Sequence, residues 1–200
     1  MTDPCPACGP DFLRWLNADP ARQAAWLALP RRWVEAGQTL QSVGQSLSGV
    51  WFVERGLLRS YFLNNDGLER NCAFHAEWKW AGMPPPRDAP VVAAFAIDAL
   101  ERSQVVELSH PGLAAWLQRQ PELQATLTET LLVTLMGSSR RESALMMDSA
   151  EQRYMQFLTE QSAIVERVAL HHIASYLGIT SVALSRIRRR IKDRRAAPPL

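Results

Sequence analysis

Two hundred residues, 47% apolar and 21% charged, describe a globular chain able to bury one large core or two modest ones, which argues against a disordered protein. No apolar run reaches the length of a membrane span, and the first thirty residues carry acids where a signal peptide is basic, so a cytoplasmic protein with no membrane partner is expected. The net charge of +2 hides an asymmetry: residues 1–150 balance at −3 and residues 151–200 at +5.

Between Asp11 and Leu29, Leu13, Leu16, Trp26 and Leu27 recur at helical spacing around Pro20, which predicts two short helices. From about Arg31 to Leu108 the pattern changes to short apolar runs punctuated by Gly37, Gly44, Gly49, Gly56, Gly67 and Gly82. That is the pattern of short antiparallel strands in a sandwich or jelly roll. The clearest hairpin joins Gly56–Leu63 to Leu68–His75 through Asn64-Asn65-Asp66-Gly67, where Asp-Gly suits a tight turn. Met83–Pro90 (MPPPRDAP) reads as a loop or bulged edge, because proline brings no amide donor to a ladder. Apolar residues return over Val91–Leu100, and Gln104–Leu108 reads as a strand.

From Pro111 the spacing is helical again, giving a short helix and then a long one from about Glu122 to Met147, roughly 39 Å at 1.5 Å per residue. Leu127, Leu131, Thr134, Leu135, Ser138 and Leu145 lie on a nearly continuous stripe of it. So long a helix overhangs the β domain, which favours a homodimer seam over simple packing on that domain. Ser149-Ala150-Glu151-Gln152 then reads as a capping box that opens a second domain. The expected organisation is a helical segment over 1–30, a β-roll over 31–110, the short and long helices over 111–148, and a C-terminal helical domain over 149–200.

The most informative stretch is Val168–Lys192 (VALHHIASYLGITSVALSRIRRRIK). Ile173, Leu177, Ile179, Leu184 and Ile187 are spaced for two short helices that share a core, with Gly178 at the turn between them: a helix-turn-helix. With Thr180 as N-cap, Ser181, Val182, Ser185, Arg186 and Arg189 project from the open face of the second helix. Arginine there can pair with guanine edges or neutralise phosphates, while Arg188, Arg190, Lys192, Arg194 and Arg195 suit the DNA backbone. A calmodulin-target or membrane-surface helix would show a broad apolar face with bulky anchors instead. Double-stranded DNA is thus the expected partner.

Several stretches, in this order, resemble the Crp/Fnr family of bacterial transcription regulators: WVEAGQTL and VGQSLSGVWFVERG, FAIDALERSQVVEL, PGLAAWLQRQPEL, SAEQRYMQFL and HHIASYLGITSVALSRIRRRI. The resemblance implies an α+β chain with an N-terminal β jelly roll similar to cyclic-nucleotide-binding domains, a long dimerisation helix, and a C-terminal all-α helix-turn-helix domain. It implies a sensory roll, a small-molecule effector that it does not name, and no enzyme activity. RNA polymerase is a further partner if the regulator activates, and no residue marks a surface for it. Departures from the family refine these expectations. Ser181 and Val182 stand where members that read DNA with an Arg-Glu pair carry that pair, while Arg186 matches the later arginine. A β-hairpin wing normally follows, whereas RRAAPPL follows here, so the arginine tail is expected to take over wing contacts.

Cyclic-AMP-binding members hold the phosphate with a Gly-Glu segment and an Arg-Ser or Arg-Thr pair, since a buried phosphate needs amides and a guanidinium. Ala93 and Ala94 stand near that pair's place, leaving Arg87 as the local arginine, with Trp78 and Trp80 near the expected pocket mouth; cyclic AMP is not the expected effector. Cys5 and Cys8 are similar to the N-terminal cysteines of iron–sulfur members, yet Val106 stands where the later ligand would be. Three cysteines exclude a four-cysteine cluster within one chain but leave a redox pair or mixed-ligand metal site open, so no cofactor is assigned. Two other readings remain: a cupin-like jelly-roll enzyme, for which only His75 and His110 lie in or beside the roll, and a regulator that binds DNA constitutively. His171 and His172, adjacent on a helix, diverge by about 100° and do not make an i,i+4 metal site.

Overall fold

A computed structural model describes residues 10–84, 92–119 and 121–196. Two short helices, α1 (Pro10–Asn17) and α2 (Pro20–Leu27), come first. Pro20 breaks nothing, because it takes the first turn of α2 behind Asp19, whose carboxylate accepts from the Ala21 amide at 2.8 Å. Eight strands follow: β1 (Arg31–Val34), β2 (Thr39–Gln41), β3 (Gly49–Arg55), β4 (Leu58–Leu63), β5 (Glu69–His75), β6 (Trp80–Gly82), β7 (Ala96–Ala99) and β8 (Ser103–Ser109). They form two antiparallel sheets, ordered β1-β8-β3-β6 and β2-β7-β4-β5.

Strand alternation sorts the side chains into two layers. Val34, Trp51, Val53, Leu58, Ala81, Ile97, Ala99 and Val105, drawn from both sheets, form the core between them. Val50, Phe52, Val106 and Leu108 point out of the first sheet, where α1, α2 and α3 (His110–Arg119) cover them with Phe12, Leu16, Trp26, Leu113 and Trp116. The β4–β5 hairpin closes through Asn64–Gly67, with Gly67 at φ +78. Covering the outer face of the first sheet in this way gives the roll a second buried layer.

The 27-residue helix α4 (Pro121–Met147) leaves the roll at Pro121. Behind it come α5 (Ala150–Glu160), α6 (Leu170–Tyr176) and α7 (Ser181–Ala196). The capping box at α5 is complete: Ser149 Oγ accepts from the Gln152 amide and Gln152 Oε1 accepts from the Ser149 amide at 2.8 Å. Tyr154, Phe157, Ile164, Val168, Ile173, Leu177, Leu184 and Ile187 make the core of these helices, and Leu57 of the roll joins it, with Phe74 packed against it. Of these helices, α6 lies against β5 of the second sheet and Phe157 of α5 meets Phe74, while α7 packs on α6. No helix among the described residues is long and apolar enough to cross a membrane.

Candidate nucleic-acid interface

The α6–turn–α7 unit is built by alternation of buried and exposed positions. Gly178 takes φ +70 at the turn, a left-handed conformation open to glycine, and Leu145 of α4 leans on it closely enough that a Cβ would lie 3.3 Å from its Cδ2. Thr180 caps α7: its Oγ1 accepts from the Ala183 amide at 3.1 Å and its carbonyl from the Leu184 amide at 3.0 Å. Leu184 and Ile187 then point into the core, while Ser181, Val182, Ser185, Arg186, Arg188, Arg189 and Arg190 are exposed. Val182, an apolar side chain, is 61% exposed. Ser181, Val182, Ser185, Arg186 and Arg189 line one open hollow of about 380 Å³. This face offers hydroxyls, a branched methyl pair and two guanidiniums along one side of a helix, the chemistry that meets base edges and phosphates.

Arg190 is set apart from that face. It pairs with Glu151 at the start of α5 at 3.4 Å, and Arg194 forms a shorter ion pair with the same carboxylate. The two guanidiniums, the Arg194 hydrogen bond first, hold the Glu151 carboxyl below its usual range. Glu151 thus ties the far end of α7 to α5. Nothing in the sequence singles out this carboxylate, because its partners lie about forty positions away along the chain.

The long-helix stripe divides into two parts. Leu131 and Leu135 are exposed, Leu135 at 63%, as are Thr134, Ser138 and the neighbouring Leu132, Val133 and Met136; Leu127 is half-buried. Further along, Arg141 and Leu145 turn to their own chain. Arg141 donates to the carbonyls of Asn71 and Tyr176 at 3.1 and 2.8 Å and stacks 3.9 Å over the Tyr176 ring, while Leu145 meets the Gly178 turn.

The residues assigned to an effector pocket come out differently. Trp78 and Trp80 pack against the outer face of the first sheet, where Trp78 meets Phe52 of β3 and Trp80, on β6, meets Phe52 together with Phe12 and Trp26 of the N-terminal helices. Both are half-buried against that core. Arg87, Cys5 and Cys8 lie outside the described residues. Cys72, on β5, is partly buried, and burial pushes its thiol up, away from the reactive thiolate. No group of three or more metal-ligating side chains occurs among the described residues.

No family model matches the chain. Over 166 residues it is 26% identical to the transcriptional regulatory protein btr of Bordetella pertussis, covering 77% of this chain and 67% of that protein. Over 165 residues it is 24% identical to the fumarate and nitrate reduction regulatory protein of Vibrio cholerae, covering 77% of this chain and 65% of that one. The chain thus spans about two thirds of the length of these curated relatives. Among solved structures, FixK2 from Bradyrhizobium japonicum superposes with a TM-score of 0.71 at 20% identity, covering 84% of this chain and 86% of that one. A two-sheet roll, a long helix and a basic helix-turn-helix in that order give the chain the fold of FixK2, and in sequence it is similar to these transcription regulators.

Proposed function

We propose that this regulator acts as a homodimer that binds double-stranded DNA in a sequence-specific way, with α7 as the recognition helix. The observation that carries the reading is the two-sided character of α7, with Leu184 and Ile187 buried and Ser181, Val182, Ser185, Arg186 and Arg189 exposed on one hollow face. Arg186 would pair with a guanine, Val182 would touch a thymine methyl, and Arg189 would neutralise phosphate. Leu127, Leu131, Thr134, Leu135 and Ser138 would form the seam with a second copy. Two α7 helices would then enter successive major grooves about 34 Å apart.

In this reading residues 31–110 are the sensory roll and residues 149–200 the reading head. The interior between the sheets is filled by Trp51, at 1% exposure, with Val53, Leu58 and Ile97, which favours an effector other than cyclic AMP bound in the usual way, or none. Selection of bound fragments from a random DNA pool tests the proposal. An inverted repeat with half-sites about ten base pairs apart is the expected product. Binding without a motif and with steep salt dependence would reduce the helix to general electrostatics and overturn it.

A further inference from the structure

The outer face of the second sheet carries a buried polar joint. Arg59 of β4, its side chain only 8% exposed, grips Asp98 of β7 through Nε and one terminal nitrogen, both at 2.7 Å. Its other terminal nitrogen faces three acceptors: Glu69 Oε2 at 2.7 Å, Asn71 Oδ1 at 3.1 Å and Nδ1 of His172 at 3.1 Å. Tyr61 lies under the guanidinium, 4.2 Å away. His172 belongs to α6, the first helix of the helix-turn-helix. Arginine has only donors, so Nδ1 of His172 must be the acceptor and the ring must be neutral, with its proton on Nε2.

The same patch binds α6 to the sheet edge. β5 is an outer strand, so one side of it has no strand partner. There the Asn71 amide donates to Ser175 Oγ at 3.0 Å, Asn71 Nδ2 donates to the His172 carbonyl at 3.0 Å, and Ser175 Oγ donates to the Glu69 carbonyl at 3.3 Å. Arg141 of α4 adds its bond to the Asn71 carbonyl. Sheet, long helix and reading head therefore meet at one residue.

We propose that Arg59 and His172 are positioning residues whose neutral contact sets how the helix-turn-helix sits on the roll, and that a proton on His172 releases it. Protonation removes the Nδ1 lone pair and places an imidazolium 3.1 Å from a guanidinium. Three acceptors share two hydrogens on that nitrogen, so Glu69 and Asn71 retain Arg59 while the His172 contact gives way. The charged groups around the ring are Arg59 from β4, Asp98 from β7, Glu69 from β5, Arg141 from α4 and His171 on α6 itself; Arg167, before α6, is held by Glu77 and Glu101. Asp98 favours the proton, but both of its oxygens are engaged by Arg59. Burial, then Arg59, then His171 hold the His172 ring down to about 4. The neutral joint is therefore intact above the ordinary histidine value and weakens as pH falls from about 6.5 toward 4.

The recognition role of α7 rests on the function proposed above, so the test has one readout that needs no DNA. Hydrogen exchange at the Asn71 amide, normalised for the intrinsic rate, reports whether α6 covers β5. Between pH 7.5 and 5 its protection is expected to fall about tenfold or more in the wild type and in His171→Asn. His172→Asn offers an amide oxygen to Arg59 but takes no proton, so its protection should fall clearly less, with His75 alone left to respond. Affinity for the selected DNA should follow the same pattern, varying with pH in the wild type and clearly less in His172→Asn. An equal acid-induced loss in His172→Asn, or none in the wild type, overturns the latch. Exchange that responds while DNA affinity does not overturns the positioning role. If no DNA is bound at all, the exchange result still judges the joint by itself.

Discussion

At Gly56 the backbone takes φ +98, and an added Cβ would lie 2.2 Å from Ser103 Oγ and 2.6 Å from Ser103 Cα. Ser103 cannot retreat, since its hydroxyl accepts from the Leu57 amide at 3.0 Å and donates to the Glu101 carbonyl at 2.8 Å. Gly56→Ala is therefore expected to cost about 2–4 kcal/mol in urea unfolding, and a loss below about 1 kcal/mol would mean the turn shifts freely. The glycine was legible in the sequence as a turn signal, whereas Ser103, 47 positions away, was not. The arginines of α7 divide in the same way. Spacing alone puts Arg186 on the open face and reads Arg190 as a backbone contact; the structure gives Arg190 to Glu151. Arg186→Ala should therefore lower operator affinity by about 1–3 kcal/mol in a fluorescence titration, and Arg190→Ala by clearly less. Equal losses would return Arg190 to the DNA face.

The elements that sequence spacing described well are those whose signals are local. The capping box before α5, the hairpin at Asn64–Gly67 and the paired short helices around Pro20 each rest on residues within a few positions of one another. Ser149→Ala should remove the cap at a cost of about 1 kcal/mol, read from the thermal midpoint. On α4, Arg141 and Leu145 continue the spacing of Leu127, Leu131, Thr134, Leu135 and Ser138, yet they meet Tyr176 and Gly178 of their own chain. Spacing shows which side chains share a face but not which neighbour that face meets. Replacing exposed Leu131 and Leu135 together by aspartate should yield monomers in sedimentation, because two charges would enter an apolar seam. An unchanged mass would place the dimer contact elsewhere.

Across the whole molecule, the signs of charge along the chain separate the basic C-terminal helices from the slightly acidic remainder, but they do not reveal that the two share a core at Leu57. Nor does composition place seven tryptophans; Trp78 and Trp80 lie half-buried against the outer face of the first sheet, beside the N-terminal helices that cover it, a tertiary fact without a local signal. Two partly buried histidines then give the fold a common response to acid. His75, bonded to Ser60 Oγ at 2.8 Å, is pushed down to about 4, first by burial, as is His172. Each contributes stability that is complete above the ordinary value of 6.5 and lost as pH falls toward 4, because the unfolded chain takes up the protons first. The thermal midpoint should therefore drop between pH 7.5 and 5, and the drop should be smaller in His75→Gln. A midpoint constant over that window would contradict the lowered values of both rings.

The central claim is that α7 reads bases through its exposed face, and the most direct measurement repeats the random-pool selection with Arg186→Ala beside the wild type. The account predicts an inverted repeat in both, with one symmetric pair of positions losing its guanine preference in the variant while the others persist. Identical preferences in the two proteins would contradict it, since the face carrying Arg186 would then not be the one that meets the bases.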